Sequence, residues 1–445
     1  MKFRRLYLAA LLLAALAPAA AARLPEKPLP IVFVHGNGDS AAQWMTTIWR
    51  FESNGYPAAL LDAVDLHYPL ATRIYDRPEP GRSTIAEEAR QLAQAVAALR
   101  KRTHAAKVIL IGQQRGGIII RDYLKNEGGA ADTAIAILCG APDHGVVVSS
   151  KVLVGSEFNG AAPLLRDLNS TPGEVVAGVR FMTIRSDRDD KYAQPDGKYI
   201  GHPGLATGIG HDGPALKGAS NLVIPGIDHR ETAYGSAAFA AMYKFITGRD
   251  PRFRDVVHEA NVLLDGKVTG YQDGAPTNIG VANAVVEVYK VSPETGERIG
   301  NAVLRKVTGA DGEWGPVKVE RKAHYEFILA VPGFPVTHIY RSPFPRSSRV
   351  VDLRPQLLAA DDRKAGAVVY MSRPRGYFDL GRDRTLLDGK PPPGVTPGVP
   401  SVALAKLAFP AEPQREVEAV LNREHIVART WPIKEDEVSV AEFTW

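Results

Sequence analysis

The chain has 445 residues, of which 45% are hydrophobic, 23% charged and only 8% aromatic. Its 54 lysines and arginines stand against 49 aspartates and glutamates, a net charge of +5 spread without long blocks. Such a composition is ordinary for a globular protein of two or three domains, and no Lys/Arg cluster with interleaved aromatics marks a nucleic-acid face.

Residues 1–22 are expected to form a signal peptide. MKFRR is a positive n-region, LYLAALLLAALA is an apolar h-region too short for an anchor, and Ala20-Ala21-Ala22 offers a cleavage site before Arg23. Arg4-Arg5 alone is weak ground for a twin-arginine signal. The mature protein is therefore expected to be secreted or periplasmic, with no transmembrane segment after cleavage. Cys139 is the only cysteine, so no internal disulfide can form. It sits in the apolar run AIAILCGAP, which predicts a buried core thiol rather than a nucleophile. The 11 histidines are scattered and no HExxH or CxxC pair is present, so neither a metal nor a cofactor is expected.

From Pro30 to about Asp250, short apolar runs alternate with helical stretches. PIVFVHG predicts a strand ending in a Gly turn. STIAEEARQLAQAVAALRKR predicts a helix that opens with a capping box at Thr84 and Glu87 and repeats Ile85, Ala89, Leu92, Val96 and Leu99 on one face. KVILIG, AIAILCGAP, VRFMTIRSD and SNLVIPGID continue the strand series. Fully apolar strands separated by helices predict a mostly parallel sheet covered on both faces, an α/β domain over residues 23–254. After AAFAAMYKFITG the pattern changes to alternating residues and Gly-Asp-Asn turns, with no convincing helix between Val256 and Tyr340. The expectation is all-β: a sandwich or barrel over 255–345, then a second β module or extension over 346–445. No internal repeat is obvious.

Four motifs in chain order carry the candidate chemistry. HGNG, His35 to Gly38, follows the first strand, and a His-Gly loop there supplies one backbone N–H of an oxyanion hole. KVILIGQQRGGIII is a strand, turn and helix in which Gly112 and Gly116 flank an apex by two residues, as in G-x-S-x-G. The apex is Gln114. TIRSDRDDKYAQPDG ends a strand with acids; Asp190 is the first choice for the acid that orients a histidine, then Asp189 and Asp187. NLVIPGIDHRET places His229 in the loop after another strand, completing the order apex, Asp, His.

These residues resemble the α/β-hydrolase lipase/esterase family, in particular archaeal-type lipases and bacterial relatives with a C-terminal β domain. The resemblance runs through PIVFVHGNGDSAAQW, RFESNGYP, IGQQRGGIIIRDYL and AAMYKFITGRDP, and on through VEVYKVSPETGERI, HYEFILAV and HIYRSPFPR. It implies an α/β-hydrolase fold with a C-terminal all-β region that assists in engaging lipid. It also implies Asn37 and Arg115 as oxyanion donors, Asp190 as orienting acid and His229 as general base. His35 and Trp44 are the candidate substrate contacts, with Ile48 and Trp49 nearby. The ligand implied is a hydrophobic acyl ester; the oligomeric state is open.

The family has serine where this chain has Gln114. An amide nitrogen is delocalised into its carbonyl and cannot form an ester-like acyl-enzyme. Gln113 is no better, and Ser83, Ser149 and Ser150 lie outside any elbow-like sequence. The leading expectation is a catalytically impaired binding pseudo-hydrolase. One alternative is an active carboxylester hydrolase using a non-standard nucleophile or a water activated by His229. Another is a scaffold whose β region binds a carbohydrate, an envelope component or a partner protein. Gln114 is expected either to meet His229 or to lie across the oxyanion donors. The loop with His202, Gly204, Gly208 and Gly210 reads equally as a lid or a plain surface loop. Asp143 and His144 read as a structural turn.

Overall fold

The computed structural model describes residues 27–410 and 414–445; the expected signal peptide at 1–22 lies outside them. Six strands, Ile31–Val34 (β1), Leu61–Val64 (β2), Val108–Gln113 (β3), Thr133–Cys139 (β4), Arg180–Arg185 (β5) and Ser220–Val223 (β6), form one parallel sheet. Its order is β2-β1-β3-β4-β5-β6. The helices are Met45–Ser53 (α1), Ile85–Thr103 (α2), Arg115–Asn126 (α3), Pro163–Leu168 (α4), Glu231–Tyr234 (α5) and Ser236–Thr247 (α6).

Period-two alternation explains why both faces are covered. Val32, Val34, Leu110 and Leu138 join the core under α2 and α3, while Ile31, Phe33, Ile111 and Ile137 join the one under α1 and α6. The chain runs out to the edge at β2 and returns beside β1 at β3. Between β1 and β3 the strand order reverses, and there the loops at the carboxyl ends of an α/β sheet leave a crevice. The capping box at the start of α2 is present, with Thr84 Oγ1 accepting from Glu87 N–H and Glu87 accepting from Thr84 N–H.

The β region forms a seven-stranded mixed sheet. Its order is Leu304–Val307, Val285–Val291, His324–Ala330, Val336–Arg341, Glu437–Glu442, Ala367–Ser372, Leu404–Phe409. Glu437–Glu442 pairs in parallel with both its neighbours, so strands from before and after residue 346 share this sheet. Within 346–445, the segment VVDLRP forms no strand, and its Leu353 makes an isolated bridge to Val268. Met45 and Trp49 of α1 enter the core of the β region, and Trp49 Nε1 donates to Ser347 O at 2.7 Å. Among the described residues, no helix is long and apolar enough to cross a membrane.

Candidate active site

The turn from β3 into α3 has the shape of an elbow. Gln114 holds φ 50° and ψ −113°, a region that costs a non-glycine residue about 1–3 kcal/mol and that the surroundings must enforce. They do so by close approach. A Cβ on Gly112 would lie 2.6 Å from Gly116 O, and one on Gly116 would lie 2.4 Å from Val34 O. Gln114 N–H is tied to Cys139 O at 2.8 Å.

Across the crevice, the loop after β1 turns through Asn37. Its side-chain oxygen accepts from Ala71 N–H at 2.8 Å, and Gly38 N–H donates to Pro69 O at 3.0 Å. Asn37 N–H is thus held towards the elbow, where it donates to Gln114 Oε1 at 2.9 Å. The Gln114 carboxamide oxygen occupies the donor expected for an oxyanion. Gln114 Nε2 makes no hydrogen bond among the described residues.

Asp190 and His229 meet from the loops after β5 and β6. His229 Nδ1 lies 3.0 and 3.1 Å from the two Asp190 oxygens. Burial opposes the Asp190 charge, yet His229 and Tyr192 N–H outweigh it and hold the carboxyl below its ordinary range. Tyr192 also sets its ring edge-on to the imidazole, 4.7 Å between centroids. His229 Nε2 is buried with no hydrogen-bond partner among the described residues. Thr232, just inside α5, donates its hydroxyl to His229 O at 2.6 Å. Asp187 instead accepts from Asp189 N–H and Gly226 N–H, which shapes the loop.

Two cavities open here, each lined by Gln114, Tyr192 and His229. One, of about 220 Å³, adds Asn37, Arg230 and Tyr377 together with apolar side chains. The other, of about 70 Å³, extends towards Asp143, His144, Ile209 and Gly210, so part of the Gly-rich loop forms a wall. His35 and Trp44 line neither cavity. His35 Nε2 faces Leu66 N–H and the Asn278 amide, both at 3.2 Å, and burial keeps its pKa below the ordinary value. Trp44 is fully buried between Phe33 and Tyr234. Trp49 packs edge-on against Phe344 and at a tilt against Trp445 in the β region. Burial pushes the Cys139 thiol up, which keeps it protonated and unreactive. Among the described residues no cluster fits a metal ion.

Several contacts of the site are not signalled by any motif, the side-chain pairing of Arg115 among them. Arg115 is completely buried below the elbow, with a bidentate pair to Glu157 at 2.6 and 3.1 Å and a second contact to Glu88 at 2.9 Å. One cation faces two carboxylates, and burial raises Glu88 to about 7 despite Arg115. From the far end of the chain, the segment 373–401 grips both catalytic-type loops. Asp228, wholly buried beside His229, accepts from Tyr377 N–H at 2.7 Å and from Arg382 at 3.3 Å. Arg230 donates to Pro374 O, and Lys191 Nζ lies 4.0 Å from the Tyr377 ring centroid. Burial, then Arg230, lowers Lys191 to about 8.

Residues 28–190 match a family model described as Lipase (class 2), and residues 260–358 match one described as Lipase C-terminal domain. No curated protein matches the chain. Among solved structures, the Bacillus licheniformis lipase BlEst2 in mature form is similar at TM-score 0.38 and 18% identity, over 52% of this chain and 96% of that one. Its propeptide form gives TM-score 0.39 and 13% identity over 69% and 91%. A gene product from Listeria innocua gives 0.35 and 13% over 51% and 96%.

Proposed function

The chain belongs to an α/β-hydrolase lipase family with a C-terminal domain, and from that premise we propose an exported protein that binds a hydrophobic acyl ligand without serine-type turnover. The observation that carries the reading is the 2.9 Å hydrogen bond from Asn37 N–H to Gln114 Oε1. The side chain at the nucleophile's place supplies its own carbonyl oxygen to the oxyanion donor. In this reading Asn37 and Arg115 N–H are the oxyanion donors, Asp190 orients, and His229 is a base with nothing to deprotonate. A carboxamide offers no electron pair for acyl transfer and no proton that a histidine can usefully remove. Export is supported by the leader-like pattern of residues 1–22.

The test is hydrolysis of short- and medium-chain p-nitrophenyl esters by the mature protein beside Gln114→Ser and His229→Ala. The expected result is a silent parent and a Gln114→Ser variant faster by about 10³-fold or more. Parent turnover that vanishes in His229→Ala would overturn the reading in favour of an activated water. Silence in both parent and Gln114→Ser would move attention to the β region.

A further inference from the structure

We infer that the ligand is a monocarboxylic acid with an apolar tail, its carboxyl group held between the Gln114 carboxamide nitrogen and His229 Nε2, in preference to an ester of the same acid. This rests on the reading of the site as a binding site. Both nitrogens belong to side chains that line the same two cavities. His229 Nε2 is buried without a partner among the described residues, and the half-buried Gln114 turns its oxygen to Asn37 N–H, which leaves its Nε2 to the cavity. The two differ in kind. Gln114 Nε2 can only donate. His229 Nε2, on a ring whose Nδ1 faces Asp190, carries either a lone pair or a proton.

A carboxyl group answers both. One oxygen accepts from the Gln114 amide. The other either gives its O–H to the imidazole lone pair or, ionised, accepts from the imidazolium, so every placement of the proton leaves both nitrogens satisfied. An ester carbonyl can accept from the Gln114 amide, but an ester has no O–H to give to the imidazole lone pair, and Asn37 N–H is already taken by Gln114 Oε1. It would leave the buried His229 Nε2 without a partner, which is the expensive outcome for a buried polar atom. Gln114 also stands at the N-cap of the twelve-residue α3, where the positive end of the helix dipole favours an anion. The acidic neighbour Asp39 is neutralised by Arg230 at 3.1 Å. For the tail, the larger cavity offers Val146, Leu153, Phe158, Tyr199 and Ile200.

The experiment is calorimetric titration of the mature protein with octanoate, methyl octanoate and octanol, and of Gln114→Glu with octanoate. Octanoate should bind at least about tenfold more tightly than either neutral compound, and Gln114→Glu should weaken it by at least about tenfold. Because Gln114→Glu can fail to fold, ¹⁵N-histidine spectra of the parent supply a second readout. Octanoate should move the His229 Nε2 resonance, and methyl octanoate should leave it in place. Equal or tighter binding of the ester or of octanol overturns the inference, as does octanoate binding that Gln114→Glu leaves intact. If methyl octanoate binds best and stays uncleaved, the inference falls while the binding reading stands. If the parent cleaves it, the binding reading fails and takes the inference with it.

Discussion

Gln114 and His229 face the same cavities but are held in opposite ways. The Gln114 side is closed on itself: its carbonyl oxygen satisfies Asn37 N–H, and the strained elbow beneath is kept by two glycines that admit no side chain. The His229 side is poised, with Asp190 on one ring nitrogen and, among the described residues, no partner on the other. The supports differ as well. The elbow stands on a short stretch of sequence and a buried ion cluster around Arg115. The histidine loop is tied down by residues about 150 positions further along the chain. The elbow backbone therefore keeps its shape with a carboxamide at its apex, while the His229 loop is held independently by other segments.

The comparison breaks or sharpens most strongly in a Gln114→Ser background. There Asp190→Asn should lower kcat by about 10⁴-fold, because the imidazole loses the carboxylate that fixes its tautomer and stabilises its cation. An unchanged rate in the double variant would mean that the Asp190 contact is structural only, and the His229 side would no longer count as poised.

A smaller effect is expected from the C-terminal grip. Arg382→Ala removes a contact to buried Asp228 and one to Glu231 at 2.8 Å, while Arg373 still reaches Glu231 at 2.9 Å. In the same background kcat should fall about tenfold with little change in KM, because a small displacement of a positioned base is costly. Arg382→Lys should restore part of the loss. A fall in KM alone, or stability loss without any change in kcat, would show that the segment does not position His229.

The last effect, on stability rather than on rate, concerns the ion cluster under the elbow. Glu88 is raised to about 7, so the folded state holds its proton more tightly than the unfolded chain does. Its contribution to stability is complete below the unfolded value and is lost as pH rises through about 7. Denaturant titrations at about pH 5 and about pH 8 should show the parent losing about 2 kcal/mol relative to Glu88→Gln across that window. Parallel pH profiles for the two proteins would remove Glu88 as the source of the slope.

Much of the fold is legible in sequence because its signals are local. Apolar runs such as KVILIG predict strands buried on both faces, and Ile109 and Leu110 do point into opposite cores. The Thr84–Glu87 spacing predicts the start of α2, and Gly112 and Gly116 predict an elbow that only backbone contact can explain. The chain order of Gln114, three neighbouring aspartates and His229 narrows the candidate dyad, but leaves Asp190, Asp189 and Asp187 as alternatives. Which acid faces the imidazole depends on how the loop after β5 turns, and Asp187 is taken up by that turn.

What the sequence by itself determines here is therefore periodicity, caps and steric necessity, all of which act over a few residues. It also determines that the elbow carries no nucleophile, because that follows from the chemistry of one side chain. The tertiary structure alone decides where that side chain points. It turns Gln114 Oε1 to Asn37 N–H, draws His35 away to Leu66 and Asn278, and buries Arg115 between Glu88 and Glu157. It also brings Tyr377 and Arg382 against the His229 loop. These partners come from segments tens to hundreds of residues apart, and a buried polar group takes whichever complementary group the packing delivers, a choice with no local sequence signature.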